Sequence, residues 1–231
     1  MSGLTVHVLT LFPDMIDSFV GYGIVRRAIE KKLFSVDAVN IRDFATDRHR
    51  TVDDTPYGGG AGMVLKADVL ATSLKSVVPE NKEQKPKVIF LTPQGKRFDQ
   101  SQANRLSLLG EFVLVCGRYR GVDERFREHY VDEELSVGDY VLTGGEPAAM
   151  VVIDSVARLI PGVLNDFESG MQDSFQNGTL DCPWYTRPET FEESKVPADL
   201  QSGNHSLIRK WRVDNSLIRT RKNRPDLLKD E

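Results

Sequence analysis

Two glycine-rich turns hold the residues best suited to chemistry, Gly117–Gly121 (GRYRG) and Ser136–Gly145 (SVGDYVLTGG). Glycines 117, 121, 138, 144 and 145 let the backbone approach a flat ligand closely, and such turns offer their own N–H and C=O groups as partners. Arg118, Tyr119, Asp139, Tyr140 and Thr143 stand among them. Any one glycine by itself is better read as part of a tight structural turn. The density of special residues between Cys116 and Glu146 points instead to a binding site made largely of main chain.

Both turns must be delivered by regular elements. Thr5–Phe12 is a short apolar run closed by Pro13, which predicts a buried strand. Helical spacing of Val25, Ala28, Ile29 and Leu33 predicts a helix over Ile24–Phe34, and Val36–Ile41 returns to extended structure. Residues 42–62 form a long polar loop, of a length usually tied to function or mobility. A helix with Val69, Leu70, Ser73, Leu74 and Val77 on one face follows. Val88–Thr92 predicts a strand ending at Pro93, Gln94 and Gly95, and Asp99 suits the cap of a helix carrying Ala103, Leu106 and Leu109. Glu111–Cys116 is again a strand.

This alternation predicts an α/β fold with a mostly parallel sheet. The ends of three consecutive strands, at Thr92–Gly95, Cys116–Gly121 and Ser136–Gly145, then fall at one edge, where open α/β sheets bind ligands. Pro147–Ile160 reads as a strongly apolar, buried helix with Glu146 complementing its dipole. Arg158 near its end must reach solvent or an anion. The run Gly58–Gly62 is no dinucleotide fingerprint, because TVDDTPY before it is not a strand and Met63 replaces the third glycine.

The chain has 231 residues, 40% hydrophobic and 28% charged, and a net charge of −4. No apolar run approaches the roughly 20 residues of a membrane span, and the N-terminus lacks a signal-peptide pattern, so a cytoplasmic protein is expected. Cys116 and Cys182 read as free thiols, and with four scattered histidines they make no zinc pattern. The acidic average hides a basic C-terminus, in which Arg209, Lys210, Arg212, Arg219, Arg221, Lys222 and Arg224 face Asp214 alone. Residues 165–179 lose apolar periodicity and read as a flexible linker. Residues 1–164 then form the ligand-binding domain and 180–231 a short helical domain, with Leu207, Ile208, Trp211 and Ile218 on one face of its helix.

Several ordered strings carry a resemblance across nearly the whole chain. They are LFPDM, DRHRTVDDTPYGGGAGMV, LTPQG, GRYRGVDER, SVGDYVLTGGE, VARLIPGVL, Asp173-Ser174-Phe175, DCPWYTRPE, IRKWR and RPDLL. The chain thereby resembles the bacterial tRNA (guanine-N1) methyltransferases of the TrmD family, SPOUT class, which modify the guanosine on the 3' side of the anticodon. The resemblance implies a deep trefoil knot, a homodimer, a C-terminal tRNA-binding domain and S-adenosylmethionine bound by the knot loops. It assigns Pro93, Gly117, Tyr119, Gly121, Ser136, Val137, Gly138, Asp139, Tyr140, Val141, Leu142, Gly144 and Gly145 to the cofactor pocket. It makes Asp173 the general base and Arg158 the arginine that assists it; by residue type alone Asp173 is simply a polar linker residue. Guanine N1 carries a proton that must leave as the nitrogen attacks, which a carboxylate can accept while a guanidinium stabilises charge on the base oxygen.

Two positions depart from the family pattern. Arg120 replaces a glutamate linked in the family with tRNA and magnesium, so Mg2+ assistance is open here, and GGEPAAM replaces GGELPAM. A SPOUT enzyme methylating another RNA site, such as a ribose hydroxyl, is the nearest alternative, and Asp173 argues against it. A non-catalytic RNA-binding module would leave the glycine turns unexplained.

Overall fold

The computed structural model describes residues 3–79, 81, 83–164 and 173–228. The chain separates into two compact units, Met1–Asn165 and Asp166–Glu231. Most of the expected linker, residues 165–172, lies outside the described residues; residues 173–179 form turns.

In chain order the first unit comprises β1 (Leu4–Thr10), α1 (Pro13–Val20), α2 (Gly23–Glu30), β2 (Phe34–Asn40), β3 (Asp53–Asp54), β4 (Val64–Leu65) and α3 (Ala67–Val77). There follow β5 (Lys87–Arg97), α4 (Gln100–Ser107), β6 (Glu111–Cys116), α5 (Glu124–Tyr130), β7 (Glu133–Ser136) and α6 (Glu146–Ala157). Five strands make one parallel sheet in the order β2-β1-β6-β5-β7. β3 and β4 form a separate antiparallel pair.

Both faces of the sheet are covered, so its central strands are apolar on both sides. On β6, Phe112, Leu114 and Cys116 enter one core while Val113 and Val115 enter the other. The first core takes Ile16, Val25 and Ala28 from α1 and α2, and Ala149, Val152, Ile153 and Val156 from α6. The second takes Val69, Leu70 and Leu74 from α3 and Phe126 from α5. Asp99 caps α4 by accepting a hydrogen bond from the Gln102 N–H at 2.9 Å.

Several boundaries differ from the sequence reading, among them the end of α6, which stops at Ala157 and not Ile160. Pro13 ends no more than a strand in that reading, yet it opens α1, where its missing N–H costs nothing. The helix predicted to reach Phe34 stops at Glu30; Lys32 turns left-handed at φ 59° and Phe34 begins β2, buried. β5 does not stop near Pro93 but resumes pairing, with Leu91 and Lys96 both opposite Leu135 across an irregularity. Thr92–Gly95 is thereby pushed out of the ladder. Gly95 makes this possible, since a Cβ there would lie 2.4 Å from the Glu134 carbonyl carbon.

The second unit contains the antiparallel pair β8 (Thr190–Phe191) and β9 (Ser194–Lys195), then α7 (Ala198–Gln201) and α8 (His205–Asn223). The Asn204 side chain caps α8 by accepting from the Ser206 N–H. Contrary to the predicted apolar face, Leu207 and Ile218 are exposed while Ser216 and Arg219 are half-buried and Thr220 is buried. The physical reason is a segment of irregular backbone lying along the helix. Thr220 Oγ1 accepts from the Leu180 N–H at 2.9 Å, Ser216 donates to the Leu180 carbonyl, and Arg219 donates to the carbonyls of Asp181 and Cys182. Backbone without ladder partners needs such polar side chains.

Gly95→Ala is expected to cost at least about 2 kcal/mol, because an inserted methyl meets backbone that cannot yield. Gly110→Ala, with nothing within 4 Å of its Cβ position, should stay within about 0.5 kcal/mol. Urea unfolding of both variants checks the contrast; equal midpoints would refute the close approach at Gly95.

Candidate functional site

The sheet order sets β6, β5 and β7 side by side, so their carboxyl ends meet as the alternation predicts. One cleft opens there, lined by Phe90–Gln94, Gly117–Gly121, Leu135–Gly138, Tyr140–Gly145 and Ala148. Of the residues assigned to a cofactor pocket, Pro93, Gly117, Tyr119, Gly121, Ser136, Val137, Gly138, Tyr140, Val141, Leu142, Gly144 and Gly145 all face this cleft. Asp139 is exposed and stands outside its lining. Phe90, Arg118, Thr143 and Ala148 line it too. Phe90 lies within a strand, where its apolar character signals only core.

The glycines also let the two turns meet. The Gly145 N–H donates to the Gly117 carbonyl at 2.9 Å, and Arg118 bridges to Gly144, so the two turns zip together. A Cβ at Gly145 would sit 2.7 Å from the Cys116 Cα, and one at Gly117 would sit 2.9 Å from the Phe90 ring. Tyr119 at φ 59° and Gly121 at φ 124° complete the first turn in left-handed backbone. In the second, the Ser136 hydroxyl accepts from the Gly138 N–H at 3.3 Å and the Tyr140 hydroxyl donates to the Val137 carbonyl at 3.2 Å.

Beneath the cleft lies a buried ion pair. Glu146 is fully buried; Oε1 accepts from the Thr10 hydroxyl at 2.7 Å, and Oε2 lies 3.1 Å from Arg118 Nη2. Arg118 also donates to the Thr143 carbonyl at 3.2 Å, and its guanidinium lies 4.4 Å from the centroid of the Phe12 ring. Burial, and then the Glu146 carboxylate, push the neighbouring Cys116 thiol well above its ordinary range, which makes it a poor nucleophile. Sequence reading gave Glu146 only a dipole role. An acid set directly after two glycines and before an apolar helix was the available signal.

Arg120 anchors another loop. Its N–H donates to the Met63 carbonyl at 3.0 Å and its guanidinium to the Ala61 carbonyl, while the Leu65 N–H donates to the Gly121 carbonyl. The run Gly58–Gly62 is thus held against the first turn, in the connection between β3 and β4. Contrary to the sequence reading, TVDDTPY does contain a short strand, because Asp53 and Asp54 pair with Leu65 and Val64, and it is β4 and not a helix that follows the glycines. Among the described residues no three His, Cys, Asp or Glu side chains converge as a metal site would require.

The two residues assigned to catalysis fall in different units. Arg158 is exposed at the C-cap of α6. Asp173 is half-buried in the second unit, on the wall of a cavity of about 580 Å³ together with Asp181, His205, Arg209, Arg212 and Ser216. His205, Arg209 and Arg212 were not assigned to the site from sequence, although their charge was noted for the arginines. Among the described residues no helix is long and apolar enough to cross a membrane.

The fold and cleft together define an open α/β protein with a cleft at the carboxyl ends of three adjacent parallel strands. More particularly, the sequence profile of the family described as tRNA (Guanine-1)-methyltransferase TrmD matches residues 4–230, and the chain belongs to that family. A tRNA (guanine-N(1)-)-methyltransferase of Hahella chejuensis is 53% identical over 224 residues, covering 96% of this chain and 85% of that protein. Proteins of the same name from Vibrio cholerae and Listeria innocua are 51% and 48% identical, over 97% and 98% of this chain and 91% and 93% of theirs.

Arg118→Met strands a buried carboxylate and is expected to cost about 3–5 kcal/mol. Adding Glu146→Gln, which removes the charge but keeps an acceptor for Thr10, should recover part of that loss. Chemical unfolding of the two variants measures the coupling; strictly additive losses would show that the pair is not the source of the cost.

Proposed function

We propose that the protein is a tRNA (guanine-N1) methyltransferase that uses S-adenosylmethionine and modifies the guanosine on the 3' side of the anticodon. The observation that carries this reading is a main-chain-lined cleft formed by the family's glycine turns, in a chain matched to the family over residues 4–230. A cleft lined by backbone at Gly117, Gly121, Gly138, Gly144 and Gly145 fits a flat adenosine group. When bound, S-adenosylmethionine supplies a methyl group on a sulfonium, which transfers without help from an acid.

The remaining work falls to the chain. Backbone groups of the two turns hold the adenine edge and fix its orientation. Asp173 accepts the N1 proton as the guanine nitrogen attacks, and Arg158 stabilises the negative charge that builds on the base oxygen. In this reading the turns belong to a SPOUT-type trefoil knot, two chains pair as a homodimer near the cleft, and the protein acts in the cytoplasm. The exposed apolar rim supports a covering partner, with Val141 at 88% and Tyr140 at 56% exposure. Residues 180–231 serve as the tRNA-binding domain after a linker over 165–179. No magnesium ligand set is assigned, since Arg120 brings a cation where the family carries a glutamate.

Asp173→Asn is expected to leave binding of S-adenosylmethionine intact while methyl transfer falls by about 10²–10⁴-fold. Survival of the rate would show that another group takes the proton. Replacing Arg221 and Lys222, both exposed on α8, by alanine should flatten the slope of log affinity for tRNA against log salt by about 1.5. An unchanged slope would move the phosphate contacts elsewhere. Arg219 is left out of this pair because its guanidinium already serves two backbone carbonyls.

A further inference from the structure

Trp184 is 58% exposed, yet it is held in place. Its indole N–H donates to Asp181 Oδ2 at 2.6 Å, and the Arg212 guanidinium lies 4.5 Å from its ring centroid. The next residue, Tyr185, meets Trp211 of α8 edge to face at 6.1 Å between centroids. The segment 181–185 is therefore pinned at two points while one indole face is left to solvent. A tryptophan that needed only burial would not be fastened in this way at the surface.

Arg212 also lines the cavity that holds Asp173. The indole and the cavity thus share a wall. Two guanidiniums, those of Arg209 and Arg212, stand on that wall with the Asp173 and Asp181 carboxylates, and Asp181 accepts from the Trp184 indole and the Cys182 N–H. A flat aromatic face backed by a guanidinium, beside a cavity roomy enough for a base and with two arginines on its wall, is the chemistry that binds unpaired nucleotides.

We infer that Trp184, fixed by Asp181 and backed by Arg212, is a stacking platform for the unpaired base adjacent to the guanine seated in the Asp173 cavity. The second unit then holds two consecutive nucleotides of a single-stranded segment. Only the identity of the base in the cavity rests on the proposed function. The platform itself rests on the indole, the guanidinium and their common wall.

The test uses the full-length protein and an anticodon stem-loop carrying 2-aminopurine on either side of the target guanosine, titrated without methyl donor. Stacking quenches 2-aminopurine, so binding should quench the probe at one flank and not the other. An abasic site at that flank should weaken binding to the wild-type protein about tenfold, within the range found for one stacked base. Trp184→Ala should abolish the quenching and weaken binding of the intact loop to the same degree, with no further loss from the abasic site; Trp184→Phe should retain most of both. Tight binding without quenching at either flank, or unchanged quenching in the alanine variant, overturns the platform. Methyl transfer assayed on the same loop separates the two claims. Quenching without methylation sinks the proposed function and spares the platform, and methylation without quenching does the reverse.

Discussion

The cleft depends on the buried carboxylate of Glu146. Taking that charge out of water is costly, and the structure offsets the cost by bonding one oxygen to Thr10 and the other to Arg118. These contacts join the end of β1, the first glycine turn and the start of α6. Because the two turns touch, Gly144 and Gly145 have no room for side chains: a Cβ at either would collide with Arg118 or with Cys116. An apolar substitute for the pair could match its stability. It could not specify the same meeting of three segments, because dispersion contacts have no direction.

The two units solve different problems. The first buries both faces of a parallel sheet and leaves strand ends free to form a rigid, main-chain-lined cleft. The second buries little of its apolar surface among the described residues, and it organises itself through polar side chains of α8 that bind the backbone of residues 180–182. That arrangement leaves aromatic and cationic groups on display, Trp184 with Arg212 and Phe175 with Arg224. Such surfaces suit a charged, partly unpaired polymer better than a small apolar ligand. The division matches the proposed chemistry, with the methyl donor on one unit and the proton acceptor on the other.

Much of the first unit was legible because its signals are local. β6 was read with the bounds it has, the Asp99 cap was identified from residue type, and the meeting of three strand ends followed from alternation alone. What escaped depended on partners distant in sequence. β5 runs past Pro93 because β7 offers it a second register, and no pattern within residues 87–97 announces that. Likewise, α8 turns a polar side inward because residues 179–182 need donors and acceptors, a demand invisible in the periodicity of the helix itself. At the site, glycine density located the cleft but could not say which glycines face a ligand and which allow turn to meet turn. Asp139 shares the composition of its neighbours but is exposed outside the lining of the cleft. The engagement of Arg120 with Ala61 was equally out of reach, since the two are 59 positions apart.

The central claim is that this cleft feeds a methyl group to guanine N1 of tRNA. The most direct measurement is transfer of labelled methyl from S-adenosylmethionine to unmodified tRNA bearing guanosine on the 3' side of its anticodon, followed by nucleoside analysis. The account predicts label in 1-methylguanosine at that nucleoside alone. Label on a ribose or on another base, or no transfer at saturating cofactor and tRNA, would contradict it.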